Sequence, residues 1–289
     1  MSTVAKHGKG EMFIAKEEKY GAHNYHPLPV VLERAEGVVV WDVDGKSYFD
    51  FLSAYSAVNQ GHCHPRIIDA LKEQVAKLTL TSRAFYNNKL GDFEEMLCQL
   101  FGFDKALVMN SGVEAVETAM KLCRKWAYQV KGVAANQAKI VFAKDNFHGR
   151  TISVISASND NTATHEFGPF LDGIVLFPYN DVDALEQLFK ADKNIAGFIV
   201  EPIQGEAGIV VPDEDYLMRV RQLCTKYNVL RPLQKCLVFI LLIFKFLICF
   251  LLIFVIFKVW KRQKKLALLI TWFKDGKSSR NSSIRSIHW

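Results

Sequence analysis

The chain has 289 residues, half of them hydrophobic, and a formal net charge of +6; that length accommodates one large or two ordinary domains with a sizeable core. The charge is unevenly placed: residues 231–289 hold twelve Lys or Arg against Asp275 alone, so this tail carries +11 and residues 1–230 about −5. A basic body suited to nucleic acid is thereby excluded. Cys63, Cys98, Cys123, Cys224, Cys236 and Cys249 form no C-x-x-C pair and no dense framework, the pattern of reduced thiols in an intracellular protein.

The N-terminal stretch "MSTVAKHGKGEMFIAKEEKYG" lacks the apolar run of a secretory signal, and Glu11, Glu17 and Glu18 argue against an organelle presequence. The cytosol is the default expectation. In "VVVWDVDGKSYFDF" (38–51) two strand-like runs flank Asp44-Gly45, which predicts a β-hairpin with a type I′ turn. "NQGHCHP" (59–65) brings His62, Cys63 and His64 together. Ligands so nearly contiguous, with no partners at zinc spacing, read as a turn and not as a metal site. Over 64–78, Ile67, Ile68, Leu71, Val75 and Leu78 recur at helical spacing behind Pro65, which costs nothing in a first turn. Further on, the pattern predicts helices near 89–101, 113–130, 181–190 and 213–227, and strands at 106–109, 139–143, 173–177 and 195–200. Strands interleaved with helices indicate an α/β fold with a largely parallel sheet. Ligands of such sheets bind beyond the carboxyl ends of the strands, so the loops after Met109, Ala143 and Val200 are the places to look.

The first of these loops opens "NSGVEAVETAM" (110–120). Ser111 with Glu114 three residues later makes a capping box. The same residues have a second reading, in which the N–H groups of Ser111, Gly112 and Val113 cradle a phosphate at the positive end of the helix. The second loop, "KDNFHGRT" (144–151), is either a solvated turn or an aromatic ring, Phe147, beside Arg150, a cation able to grip a carboxylate bidentately. In the third, "VEPIQGEAGIVVP" (200–212), Glu201, Gln204 and Glu206 gather after a buried strand, where a carboxylate is costly unless paired or used.

The segments "KYGAHNYHPLPVVLERAEGVVVWDVDGKSYFDFLSAYSAVNQGHCHP", "LTLTSRAFYNN", "NSGVEAVETAMKLCRKW", "NFHGRT", "FGPF" and "VEPIQGEAGIVVP", taken in order, resemble the class III, fold type I, pyridoxal-phosphate-dependent aminotransferases, and within them the ornithine aminotransferase family. The resemblance covers residues 17–230. It implies an α/β fold type I transferase, incomplete here. Residues 1–65 would be an N-terminal arm and the β-hairpin of a small domain, and residues 66–230 part of the cofactor domain. It implies the cofactor pyridoxal 5′-phosphate and transfer of the δ-amino group of L-ornithine to 2-oxoglutarate, giving glutamate-5-semialdehyde and glutamate in arginine and proline metabolism. By resemblance Ser111, Gly112 and Val113 lie at the cofactor phosphate and Phe147 stacks on its ring. Tyr25, Tyr55 and Arg150 hold the substrate, and Glu206 masks a second arginine. The family is homodimeric, and some members are mitochondrial. Sister activities on acetylornithine or 4-aminobutyrate are the enzymatic alternative; the long runs around Tyr25 and Tyr55 favour ornithine.

Two residues that this chemistry needs belong, by resemblance, beyond position 230: a Schiff-base lysine that also moves the proton, and an aspartate facing the pyridine nitrogen. Neither Asp-Glu-x-Gln-Thr-Gly nor Gly-Lys-Ala occurs in residues 231–289. The expectation is therefore a chain with no catalytic residue of its own that does not transaminate. Instead Cys236–Phe257 runs for twenty-two residues with one charge, Lys245, enough to span a bilayer. Lys258, Lys261, Arg262, Lys264 and Lys265 behind it would keep the C-terminus cytosolic and send the body across, at odds with free thiols. The competing reading is a non-family continuation, such as translated intron or frameshift, since the 59 tail residues hold one Gly, one Pro and one Ala. The corresponding non-catalytic alternative is a fragment that inserts in a membrane or pairs with an intact subunit.

Overall fold

The computed structural model describes residues 8–230. Lys139–Ala143, Ile174–Phe177 and Ile195–Ile199 are apolar at nearly every position, so each must be covered on both faces. They form β4, β5 and β6 of a parallel sheet in the order β5-β4-β6. The pleat divides β4 between two cores. Ile140 and Phe142 pack under the helix Gly112–Trp126, together with Val116, Ala119, Met120 and Cys123. Val141 and Ala143 face Val182–Ala191 and Tyr216–Lys226, where Leu185, Phe189, Val220 and Cys224 are buried.

Ahead of this unit lie β1 (Leu32–Glu36), β2 (Val39–Asp42) and β3 (Ser47–Phe49), an antiparallel sheet in that order. The helical elements in chain order are α1 (Lys9–Tyr20), the short turn α2 (Ser53–Ser56), α3 (Pro65–Val75), α4 (Leu90–Phe101), α5 (Gly112–Trp126), α6 (Ile152–Ile155), α7 (Asn161–Thr164), α8 (Val182–Ala191) and α9 (Tyr216–Lys226). A π-helical turn, Ala127–Lys131, continues α5 and stops at Gly132, whose φ of 80° suits glycine. Lys89 and Leu90 donate their N–H groups to Asn87 Oδ1 at the start of α4. Gly102, at φ 66°, ends that helix.

Several expectations are corrected. The hairpin at 38–51 exists, but as part of a three-stranded sheet, because Leu32–Glu36 pairs with β2 as well. Its turn is not type I′: three residues, Val43 to Gly45, separate Asp42 from its partner Lys46, and only Gly45 has positive φ, at 87°. Asp42 Oδ1 fixes this loop by accepting from the N–H groups of Asp44 and Lys46. The apolar run 106–109 is not a strand; no strand pairs with it among the described residues, and Leu107 is exposed. The spacing of α3 is right, but none of its residues is buried. The expected membrane-spanning run 236–257 falls outside the described residues. Among those described, no helix is long and apolar enough to cross a membrane.

The approach of α5 to the sheet depends on one missing side chain. A Cβ at Gly197 on β6 would overlap Cys123 Sγ and lie 3.3 Å from Cys123 Cβ. Both residues are in the close-packed interior, where a methylene has no room without a shift. Gly197→Ala is expected to lower stability by about 1–3 kcal/mol, measured by urea unfolding. The penalty should shrink in a Cys123→Ala background, which removes the nearer atom; an equal penalty in both backgrounds would contradict this account of the contact.

Candidate active site

The site is assembled from the loops that leave the carboxyl ends of β4 and β6 and from the first turn of α5. Ser111 caps α5: its Oγ accepts from the N–H of Glu114 at 3.3 Å and donates to Glu114 Oε2 at 3.2 Å. The Ser111 half of the expected capping box forms, while the Glu114 carboxylate turns to the Ser111 hydroxyl and the Asn110 amide instead of the Ser111 N–H. This cap leaves the N–H groups of Gly112 and Val113, in the helix's first turn, without a carbonyl four residues back. These donors, at the positive helix end, make a cup of the kind that suits an anion.

The loop after β4 is pressed against that cup. Gly149 has φ of 125°, and a Cβ there would meet Val113 Cβ and Cγ2 at 2.7 Å. Only glycine admits this approach. The loop's other end is gripped from the segment after β6. Gln204 is buried and donates from Nε2 to the Lys144 carbonyl at 2.6 Å, and Glu201 is buried with Oε2 accepting from the Phe147 N–H at 3.1 Å. Tyr179 Oη donates to the carbonyls of Glu201 (3.1 Å) and Pro202 (2.9 Å), which fixes the gripping segment in turn. Asn146 Nδ2 bridges the carbonyls of Ala143 and Ala157 at 2.6 and 2.7 Å.

Three residues singled out in sequence meet here. The Arg150 guanidinium carbon lies 5.3 Å from the centre of the Tyr25 ring and 5.8 Å from that of Phe147, within cation–π reach of both. Phe147 is half-buried, whereas Tyr25 and Arg150 are exposed. Tyr55 stands on the α2 turn, where Ser53, Ala54 and Tyr55 all have positive φ (50°, 47° and 55°), a conformation that costs energy at non-glycine residues. Asp50 supports that turn, with Oδ1 accepting from the N–H groups of Leu52 and Ser53 and Oδ2 2.7 Å from His62 Nε2. The hydrogen bond to His62, followed by that to the Ser53 N–H, lowers the Asp50 pKa. His62 is thus paired within the fold, and no group of three His, Cys, Asp or Glu among the described residues is arranged to hold a metal. Glu206 is exposed in the turn closed by the Gln204–Val210 bridge.

Sequence reasoning did not find Glu117, Tyr179 or the burial of His148. Glu117 and Tyr179 occupy positions where a polar side chain also suits an ordinary solvated face, so no spacing rule separates them. A groove of about 290 Å³ between α8 and α9 includes none of the site residues. Two of its ion pairs, Arg219–Asp183 and Lys226–Glu186, both 2.7 Å, join its lining charges to one another.

His148 is 2% exposed, with neither ring nitrogen partnered among the described residues, and its ring centre is 5.5 Å from that of Phe142. Burial pushes its pKa down to about 3. The unfolded chain therefore binds a proton near the usual histidine value of about 6.5 that the folded chain refuses. Stability from this residue is complete above about pH 6.5 and is lost as pH falls towards 3, by at most about 1.4 kcal/mol per pH unit. In urea titrations the stability difference between His148→Phe and the parent should move in favour of the variant across that window; a difference independent of pH would contradict the buried neutral state.

Residues 20–231 match the family described as aminotransferase class-III. A relative from Drosophila melanogaster, named ornithine aminotransferase, mitochondrial, is 62% identical over 229 residues, which are 79% of this chain and 53% of that protein. A structure of the ornithine aminotransferase from Toxoplasma gondii, described as revealing partial occupancy of PLP at the active site, is similar with TM-score 0.74 and 47% identity, over 76% of this chain and 52% of that one. A structure of acetylornithine aminotransferase from Elizabethkingia anophelis is similar with TM-score 0.66 and 61% identity, over 76% and 54% of the two chains. The chain spans about half the length of the curated relatives that it matches.

Proposed function

Because the chain belongs to the aminotransferase class-III family, whose members depend on pyridoxal 5′-phosphate, we propose that it represents the phosphate-gripping half of an ornithine aminotransferase. In this reading residues 66–230 are part of the cofactor domain, and residues 1–65 are the N-terminal arm and small-domain sheet. The whole enzyme would transfer the δ-amino group of L-ornithine to 2-oxoglutarate. The observation that carries the reading is the convergence of Phe147, Arg150 and Tyr25 on a loop whose Gly149 touches the first turn of α5.

The residues present suit the cofactor. A phosphate is matched by the N–H groups of Gly112 and Val113 with the Ser111 hydroxyl beside them, and a flat ring by Phe147, whose backbone Glu201 holds. The cofactor, when bound, supplies an electron sink for bonds at the substrate carbon next to nitrogen. Arg150 is placed to take a substrate α-carboxylate, Tyr25 and Tyr55 to bound the substrate's chain, and Glu206 to mask a second arginine outside this stretch. The Schiff-base lysine and the aspartate at the pyridine nitrogen are not supplied by residues 231–289 as they stand, so this chain binds and orients without transaminating. The mitochondrial name of the Drosophila relative favours the mitochondrion over the cytosolic default. Partnership with a second subunit follows from the same family reading.

The name of the Elizabethkingia structure favours one further reading, acetylornithine as substrate. Purified full chain should bind pyridoxal 5′-phosphate saturably and release it on dialysis, with no single lysine labelled after borohydride reduction and no turnover of ornithine with 2-oxoglutarate. Turnover, or stoichiometric labelling of one lysine, would overturn the inactive reading, and absence of saturable binding would overturn the cup. Tighter binding of a phosphopyridoxyl adduct of acetylornithine than of ornithine would decide for the second substrate.

A further inference from the structure

The attachment of Arg150 itself rests on a separate set of contacts. Arg150 is exposed, and its loop is tied at the Lys144–Phe147 end by Gln204 and Glu201. Beyond Arg150, the hydroxyls of Thr151 and Ser153 both donate to the same carboxylate oxygen, Oε1 of Glu117. Glu117 is half-buried on α5, one turn past Val113, which Gly149 touches. One helix therefore carries both the anion cup and the anchor of the arginine loop.

We propose that Glu117 is a positioning residue that holds Arg150 at a fixed distance from the anion cup, so that a ligand with a phosphate at one end and a carboxylate at the other is recognised by its span. This rests on the reading of the site as a pyridoxal-phosphate and amino-acid site. The physical basis is that hydroxyl donors to a charged acceptor are stronger than neutral pairs, and two on one oxygen fix the start of α6 relative to α5. Arg150 directly precedes Thr151, the first of those donors, and its side chain, within reach of the Tyr25 and Phe147 rings, inherits the placement. Without the anchor, Arg150 must be ordered by the ligand, and that ordering is subtracted from affinity. The phosphate grip, built from N–H groups of Gly112 and Val113, does not pass through Glu117.

The test compares two probes on the full chain: pyridoxamine 5′-phosphate, which lacks an α-carboxylate, and phosphopyridoxyl-ornithine, which has one. For the parent the adduct should bind more tightly, and Arg150→Ala should abolish that preference. Glu117→Ala should weaken the adduct about fivefold to tenfold and leave pyridoxamine phosphate within about twofold, as expected for losing a charged hydrogen-bond anchor. Glu117→Gln, which keeps an acceptor, should recover part of the loss. Thr151→Val removes one donor while leaving α5 intact, and should show a smaller loss of the same kind, so a fold defect in Glu117→Ala does not shelter the proposal. If Arg150→Ala abolishes the preference but neither Glu117→Ala nor Thr151→Val reduces it, or if they weaken both probes equally, the positioning role is overturned. If the parent shows no preference for the adduct, the reading of the site fails and the role of Glu117 with it.

Discussion

A Cβ on Gly149 would sit 2.7 Å from the Val113 side chain, so the loop after β4 and the first turn of α5 are in contact only because that Cβ is absent. This approach sets the loop that carries Phe147 and Arg150 against the first turn of α5. It also gives the grip of Glu201 and Gln204 its purpose, since a loop held at such close quarters has to be fixed at its other end as well. Were the loop displaced, the anion cup would remain at the helix end but would have no ring or cation near it.

The sheet supplies the geometry that this contact needs. Parallel strands β4 and β6 are neighbours, so their carboxyl-end loops are neighbours too, and the segment after β6 can reach the loop after β4 with the side chains of Glu201 and Gln204. On one face β6 receives α5 closely at Gly197 and Cys123. Cys123 is fully buried, and that burial raises its pKa to about 12, leaving it a packing group and not a reactive thiol. Buried polar groups are few among the described residues, and they concentrate where the chemistry is expected: His148, Glu201 and Gln204.

What could be read in the sequence was whatever leaves a periodic or local mark. The runs "KIVFA" and "IAGFIV" announce strands covered on both faces, and Ser111 with Glu114 announces the start of α5. The pairing of Leu32–Glu36 was invisible because "LERAE" has no alternating apolar pattern, and its exposed positions match none. "ALVM" was misread for the converse reason: an apolar run has strand propensity, but a strand needs a partner, and none pairs with it among the described residues. At the site, the loops after Ala143 and Val200 do leave strand ends, whereas the loop after Met109 follows no strand, and the roles of Phe147, Arg150 and Tyr25 rest on the resemblance. Neither strand ends nor resemblance could reveal that Glu117 collects two hydroxyls from a segment 34 to 36 positions away, because such contacts depend on the tertiary fold alone.

The central claim is that the first turn of α5 and the loop from Asn146 to Arg150 act as one binding unit. Hydrogen–deuterium exchange of the full chain, with and without saturating pyridoxamine 5′-phosphate, tests it most directly. The account predicts that amides of residues 111–114 and 146–150 gain protection together and with the same ligand midpoint. Protection of the helix end without the loop, or of neither, would contradict it.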